Sequence, residues 1–224
     1  MATDSSEHRP RIVKIGEIAD AYRIPDYHRE ENLRIFVHPG DLTIDGDMSL
    51  AWDAPSDAAD SPLDWRKAVQ CPDGERIDGL VVEGDLRLGG ALINLWAGPM
   101  LLVGGHLAAR TLVAGGSFIR ILGNVDIADT LLAHSNSGEL HIGGTTTAPL
   151  LIGEDNHYMT LGPCTSPIIF DAREAARDDW EYDDDADAYP VPEQLKPVLR
   201  EGFGNWDDIM AALKSGKPVT KLVP

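Results

Sequence analysis

Apolar residues in this chain come in short runs broken by glycine, and the breaks recur. Val82-Glu83-Gly84-Asp85-Leu86, Val103-Gly104-Gly105-His106-Leu107 and Ile121-Leu122-Gly123-Asn124-Val125 share one pattern: an apolar residue, a spacer, glycine, a polar residue and a second apolar residue. Ile142-Gly143-Gly144-Thr145-Thr146 is a weaker copy, and the motif glycines stand 21, 18 and 21 residues apart. Between them lie further apolar runs, Leu92-Ile93, Leu112-Val113, Leu131-Leu132 and Leu150-Leu151-Ile152. A supersecondary unit of about 20 residues cannot bury its apolar side alone, so successive units must stack. Helix is disfavoured here, because each glycine would cost it about 1 kcal/mol. The pattern predicts a β-solenoid with two short strands per unit, its glycine corners turning the chain through positive φ.

The regular zone covers 75–162. Ahead of it, Arg11-Ile12-Val13-Lys14-Ile15 and Arg34-Ile35-Phe36-Val37 read as strands. Leu42-Thr43-Ile44-Asp45-Gly46-Asp47-Met48 resembles the later repeat and places Gly46 38 residues, two units, before Gly84. The stretch from Trp52 to Gly74, rich in Asp, Ala, Ser and Pro, reads as a loop interrupting one unit. After residue 163 the character changes again. Asp171 to Asp187 holds nine acids against Arg173 and Arg177, and Pro190, Pro192 and Pro197 exclude a long helix. Trp206, Ile209, Met210 and Leu213 then fall at the spacing of one buried helical stripe, with Asn205 as cap and Gly216-Lys217-Pro218 as stop. The expected element is a helix over 206–214 that covers an open end or face of the solenoid.

Charge narrows the partners. Across 224 residues, 19 basic against 37 acidic side chains give a net charge of −18. Such a chain repels nucleic acid and anionic membrane and is steered toward basic surfaces. Leu88 to Ala109 carries no charge over 22 positions, the length of a membrane span, but it contains five glycines, Asn94, Pro99 and His106. The repeat also runs through it, so covered solenoid faces account for the run. Cys71 and Cys164 lie 93 residues apart without a CxxC pair, which reads as free thiols in a cytoplasmic protein. The acidic, weakly apolar start gives no expectation of a signal peptide.

Motifs for catalysis are missing: there is no HExxH, GxSxG or phosphate loop, and the pairs Gly104-Gly105 and Gly115-Gly116 lack dinucleotide-binding spacing. His134 and His141 flank Ser135-Asn136-Ser137-Gly138, and Glu154-Asp155-Asn156-His157 follows one unit later. Stacking could gather His134, Asp155 and His157 into a site. The competing reading, corner residues that satisfy turn backbone groups, is favoured by the lack of ligand spacing. No catalytic residue, metal ligand or cofactor is assigned. The partner-binding candidates are Asp178, Asp179, Trp180, Glu181, Tyr182, Asp183, Asp184 and Asp185, where carboxylates steer a basic protein and aromatics anchor it.

The Gly-Asp-Leu repeat from Gly84 to Gly162, followed by the short helix and Gly216-Lys217-Pro218, resembles bactofilin-like, polymer-forming right-handed β-helix proteins. A subset of these is similar to immunity proteins encoded near secreted toxins. The resemblance implies an all-β, right-handed parallel β-helix of about five to six short coils, with N-terminal strands and a C-terminal capping helix. The chain then reads as a single domain, 1–224: a cap and interrupted first coils over 1–74, regular coils over 75–162, and an acidic loop and helix over 163–224. The implied function is a non-enzymatic immunity protein that neutralises a cognate basic toxin as a monomer or homodimer. The alternatives are a self-assembling structural protein and a β-helix polysaccharide-active enzyme. The appendages before and after the coils would cap the ends and oppose filament growth.

Overall fold

The computed structural model describes residues 9–52, 62–72, 74–134, 137–154, 157–172 and 190–221. β1 (Arg11–Lys14) leads into a short helix α1 (Ile15–Ile18) and a 3-10 turn at Asp26–His28. The first turn of a parallel β-solenoid follows as β2 (Arg34–His38), β3 (Leu42–Ile44) and β4 (Met48–Ser49). β5 (Leu63–Asp64) and α2 (Trp65–Ala68) intervene before β6 (Gly79–Val82), β7 (Leu86–Leu88) and β8 (Ala91–Ile93). Then come β9 (Met100–Val103) with β10 (Leu107–Ala114), and β11 (Phe118–Ile121) with β12 (Val125–Ala133). β13 (Glu139–Ile142), β14 (Thr146–Thr147) and β15 (Leu150–Gly153) precede β16 (Tyr158–Thr160) and β17 (Ile168–Asp171). The turns over 79–153 succeed one another without insertion.

Each turn has three sides rather than the two strands read from the sequence. The first face stacks β2, β6, β9, β11, β13 and β16, all parallel. The second carries β3, β7, the first half of β10, the first half of β12 and β14. The third carries β4, β8, the remaining halves of β10 and β12, β15 and β17. A register shift between Ala109 and Thr111 marks the corner inside the long strands. The Gly-polar motif is itself the corner between first and second faces, so the apolar residues on its two sides belong to different strands.

Registration also differs from the sequence expectation at the first turn. Leu42 pairs with Leu86, and the Gly84 amide donates to the Gly40 carbonyl, so Gly40-Asp41 is the first copy of the motif. Gly46-Asp47 lies instead at the next corner, beside Gly89 and Gly90.

From the second copy of the motif onward its glycines are needed for close approach, not for positive φ; only the first, Gly40, has φ of +70° and open space around it. Gly84, Gly105, Gly123 and Gly144 each donate to the carbonyl of the motif glycine one turn earlier at 2.9 Å. None is among the positive-φ residues, which include Gly40, Gly46, Gly74, Gly202 and Gly216. A Cβ on Gly105 would run into the Asp85 carboxylate and the Gly84 backbone. The polar residue that follows each glycine completes the corner. Asp41 Oδ1 accepts from the Asp85 amide at 2.8 Å and Asp85 Oδ1 from the His106 amide at 2.8 Å. His106 Nδ1 accepts from the Asn124 amide at 2.8 Å and Asn124 Oδ1 from the Thr145 amide at 2.9 Å. The His106 amide holds the Asp85 carboxyl below its ordinary value, against the smaller opposing effect of burial.

Inward side chains of all three faces form one core that includes Phe36, Leu80, Leu101, Ile119, Leu86, Val125, Leu92 and Leu131. Trp65, Val69 and Cys71 belong to the same core and close it at its first turn; Asp64 caps their helix through the Arg66 and Lys67 amides. The stretch expected to be only a loop thus contains the plug of the core. Outward residues of the first face, among them Ile35, Val37, Val81, Met100 and Leu102, pack under Ile15, Ala19, Tyr22 and Ile24. Those of the third, including Val113, Leu132, Leu150, Ile152 and Phe170, pack under α3 (Trp206–Lys214) through Trp206, Ile209, Met210 and Leu213. The helix has the bounds and the Asn205 cap expected from the sequence, and it covers a face rather than an end.

Asp129, buried at the corner of β12, holds the tail after α3. It accepts from the Val219 amide at 3.0 Å, the Thr220 amide at 2.9 Å and the Thr220 hydroxyl at 2.7 Å. Arg110 does the same one turn earlier, bridging Asp47 and the Gly216 carbonyl. The uncharged run 88–109 is built of strands, and among the described residues no helix is long and apolar enough to cross a membrane.

Three outcomes follow for stability. Gly105→Ala should cost about 1–3 kcal/mol in urea denaturation through overpacking. Gly16→Ala, in α1 with open space around its Cα, should be neutral or stabilising by about 0.5–1 kcal/mol. Asp129→Ala strands four buried donors, the Val219 and Thr220 amides and the Thr220 and Thr130 hydroxyls, and should cost about 2–5 kcal/mol, read as early proteolysis after α3.

Candidate functional site

The first face changes character along its length. Over its first three levels the outward positions are apolar and covered. At the next three they pair as Phe118, Glu139 and Tyr158 in one row and Arg120, His141 and Thr160 in the other. The cover also ends here, since the chain leaves the face through Tyr22 to His28. Polar and aromatic residues therefore stand where the apolar lid stops.

Glu139 is the hub of this patch. Its Oε1 lies 3.0 Å from His28 Nε2 and its Oε2 lies 3.0 Å from both His141 Nε2 and the Tyr27 hydroxyl. Burial by itself would raise the Glu139 carboxyl. The hydrogen bonds from His141, His28 and Tyr27 outweigh it and hold the group below the ordinary glutamate range. Rings extend the contact as a chain from Tyr27 to His28, Phe118, His141 and Tyr158, with centroids 4.6 to 5.5 Å apart. Tyr27 and Tyr158 are 67% and 58% exposed, so the chain of rings opens to solvent at both ends. This arrangement clasps the 3-10 turn to the solenoid, with both Glu139 oxygens hydrogen-bonded.

Beside the clasp is a groove of about 150 Å³ lined by Arg23, Arg120, His141 and Thr160, with Leu122 and Ile142 as walls. Arg120 Nη1 donates to the carbonyls of Tyr22, at 3.2 Å, and Arg23, and the guanidinium rests 5.4 Å from the Phe118 ring centroid. Burial, and then the neighbouring Arg23 guanidinium, lower the Arg120 pKa; arginine nonetheless stays charged.

The histidines singled out from the sequence have a different place. His134 and His157 are 5% and 6% exposed and flank the corner joining the third face to the first. His157 Nε2 donates to the Gly115 carbonyl at 3.0 Å, so it serves the turn backbone. The buried Asn94 holds the same corner, accepting from the Gly115 and Ser117 amides and donating to the Leu50 carbonyl. Asp155 lies outside the described residues, as do Asp178, Asp179, Trp180, Glu181, Tyr182, Asp183, Asp184 and Asp185. Among the described residues no group of three or more His, Cys, Asp or Glu could hold a metal ion, and Cys71 and Cys164 stand free.

Sequence reading missed His28, Phe118, Arg120, Glu139 and Tyr158. The available signal was the change from two-sided apolar strands such as Met100-Leu101-Leu102-Val103 to alternating ones such as Glu139-Leu140-His141-Ile142. No family model, curated protein or solved structure matches this chain.

Burial pulls the His157 imidazole below the usual histidine value, against the opposing hydrogen bond to Gly115. The unfolded chain then binds a proton, below about pH 6.5, that the folded protein resists, so stability present above that pH is lost as pH falls. His157→Gln, whose amide still donates to the Gly115 carbonyl, should flatten the decline of the urea midpoint between about pH 7 and 5. An unchanged slope would place the titrating group elsewhere.

Proposed function

We propose that this chain is a non-catalytic binding protein that captures a basic protein, in the toxin-neutralising role its resemblance to immunity-type β-helix proteins implies. The observation that carries the reading is the charge balance of −18, with acids interleaved with Trp180 and Tyr182 in the segment after β17. Such a surface steers a cationic partner and offers it aromatic anchors.

The buried carboxylates support binding over chemistry. Asp129 has both oxygens on amides of the tail, and Asp78 accepts from the Arg34 amide at 2.9 Å and from Arg76 Nε at 2.9 Å. With Glu139 held by the clasp, these acids work as fasteners. Self-assembly into filaments has less support, because β1 runs antiparallel on β2 and occupies the edge on which a preceding parallel turn would stack.

Titration calorimetry of the chain against the product of the adjacent reading frame tests the proposal. Binding should weaken about tenfold or more between 50 and 500 mM salt, as screening shortens from roughly 14 to 4 Å. Neutralising Asp178, Asp179, Asp183, Asp184 and Asp185 to Asn should reproduce that loss at low salt. No binding at either salt concentration rejects the reading.

A further inference from the structure

We infer that the groove beside the clasp is an oxyanion site suited to a phosphate-type dianion. This goes beyond capture of a basic partner, because the ligand has the opposite sign.

The first support is local charge. In a chain of net charge −18, the groove is lined by Arg23, Arg120, His141 and Thr160, with no carboxylate among its lining residues. Among the described residues, neither Arg23 nor Arg120 has a carboxylate within 4 Å. Glu139, the acid next to His141, has both oxygens occupied by His28, His141 and Tyr27. Two guanidinium groups side by side repel each other, and an anion between them removes that repulsion.

The second support is preorganisation. The carbonyls of Tyr22 and Arg23 fix Arg120 Nη1, and the Phe118 ring supports the plane of the guanidinium. Its Nε is buried without an acceptor, and its Nη2 makes no hydrogen bond among the described residues. A guanidinium held this way presents its free Nη2 in a fixed direction, a charged donor suited to a phosphate or carboxylate oxygen. Arg23 itself has φ of +51°, a left-handed conformation rare for a residue with a side chain. The Ile24 amide bond to the Ala19 carbonyl at 2.8 Å and the Arg120 contact hold that turn in place. Strained backbone kept by its surroundings concentrates at binding sites.

Size and donor type select the ligand. A groove of about 150 Å³ falls below the roughly 300–1,000 Å³ of pockets for drug-sized molecules, so it fits one small anion or the anionic head of a larger one. Guanidinium alone serves carboxylate and phosphate equally. The Thr160 hydroxyl, one turn from His141 on the same row, adds a donor on a second side, which a tetrahedral ion uses and a planar carboxylate does not.

The test is titration of the full chain with inorganic phosphate, phenyl phosphate and acetate, followed by calorimetry and 31P line broadening. Saturable phosphate binding with Kd of about 1 mM or tighter is expected, with acetate about tenfold weaker. Arg23→Gln, which leaves the Arg23 carbonyl to hold Arg120, should weaken phosphate binding about tenfold with unchanged circular dichroism and melting temperature. Arg120→Gln should abolish binding, but it also loosens the Tyr22–Arg23 turn, so Arg23→Gln is the deciding variant. No saturable phosphate binding up to about 20 mM, or wild-type affinity in Arg23→Gln, overturns the site. Equal affinity for acetate overturns the phosphate assignment in favour of a carboxylate.

Discussion

Everything in this protein depends on how closely consecutive turns can stack at one corner. The motif glycines donate to one another's carbonyls at 2.9 Å, a column of backbone bonds with no room for a Cβ at Gly84, Gly105, Gly123 or Gly144. The residue after each glycine supplies a side-chain acceptor for the amide one turn on, so Asp, His and Asn are interchangeable while the acceptor is kept. That column sets the register of the three faces, and the register sends alternate leucines inward. Without it, a single turn buries too little apolar surface to offset the entropy of ordering its residues.

A three-sided solenoid with apolar residues on both sides of its strands has a second problem. Two of its outer faces are as apolar as its inside, and exposed parallel ladders of that kind aggregate. The chain solves this with its own ends. The N-terminal segment lies on the first face and the C-terminal helix on the third, while among the described residues the second face keeps Thr43, Arg87, Asp126 and Thr147 exposed. The fastenings differ in kind. On the third face, Asp129 and Arg110 bind backbone groups of the tail; on the first, Glu139 ties the 3-10 turn through His28 and Tyr27. The clasp and its groove exist because the lid ends partway along a face.

These arrangements divide the molecule between scaffold and surface. The coils hold little free chemistry, because their polar groups serve backbone corners or hold the covering segments. The proposed recognition elements are the acidic segment that follows β17 in the sequence and the groove that the Tyr22–Arg23 turn makes with the outward row of the first face.

Local rules made much of this legible in the sequence. Glycine spacing of 21, 18 and 21 gave stacked turns, since only a solenoid repeats a close backbone approach at that period. Cap and stripe gave the helix at 206–214 to the residue, because an Asn cap, an i, i+3, i+4, i+7 stripe and a terminal glycine act within one segment. The third face was not legible, because a Gly-polar corner looks the same whether the strands beside it share a face or not. Nor was the reason for the glycines, which is the neighbour one turn away rather than local φ. The role of Trp65 as plug and the meeting of His28 with Glu139, 111 residues apart, likewise depend on where the covering segments land. Sequence periodicity determines what repeats; only the tertiary structure decides which outward positions are covered and which face solvent, because that depends on segments outside the repeat.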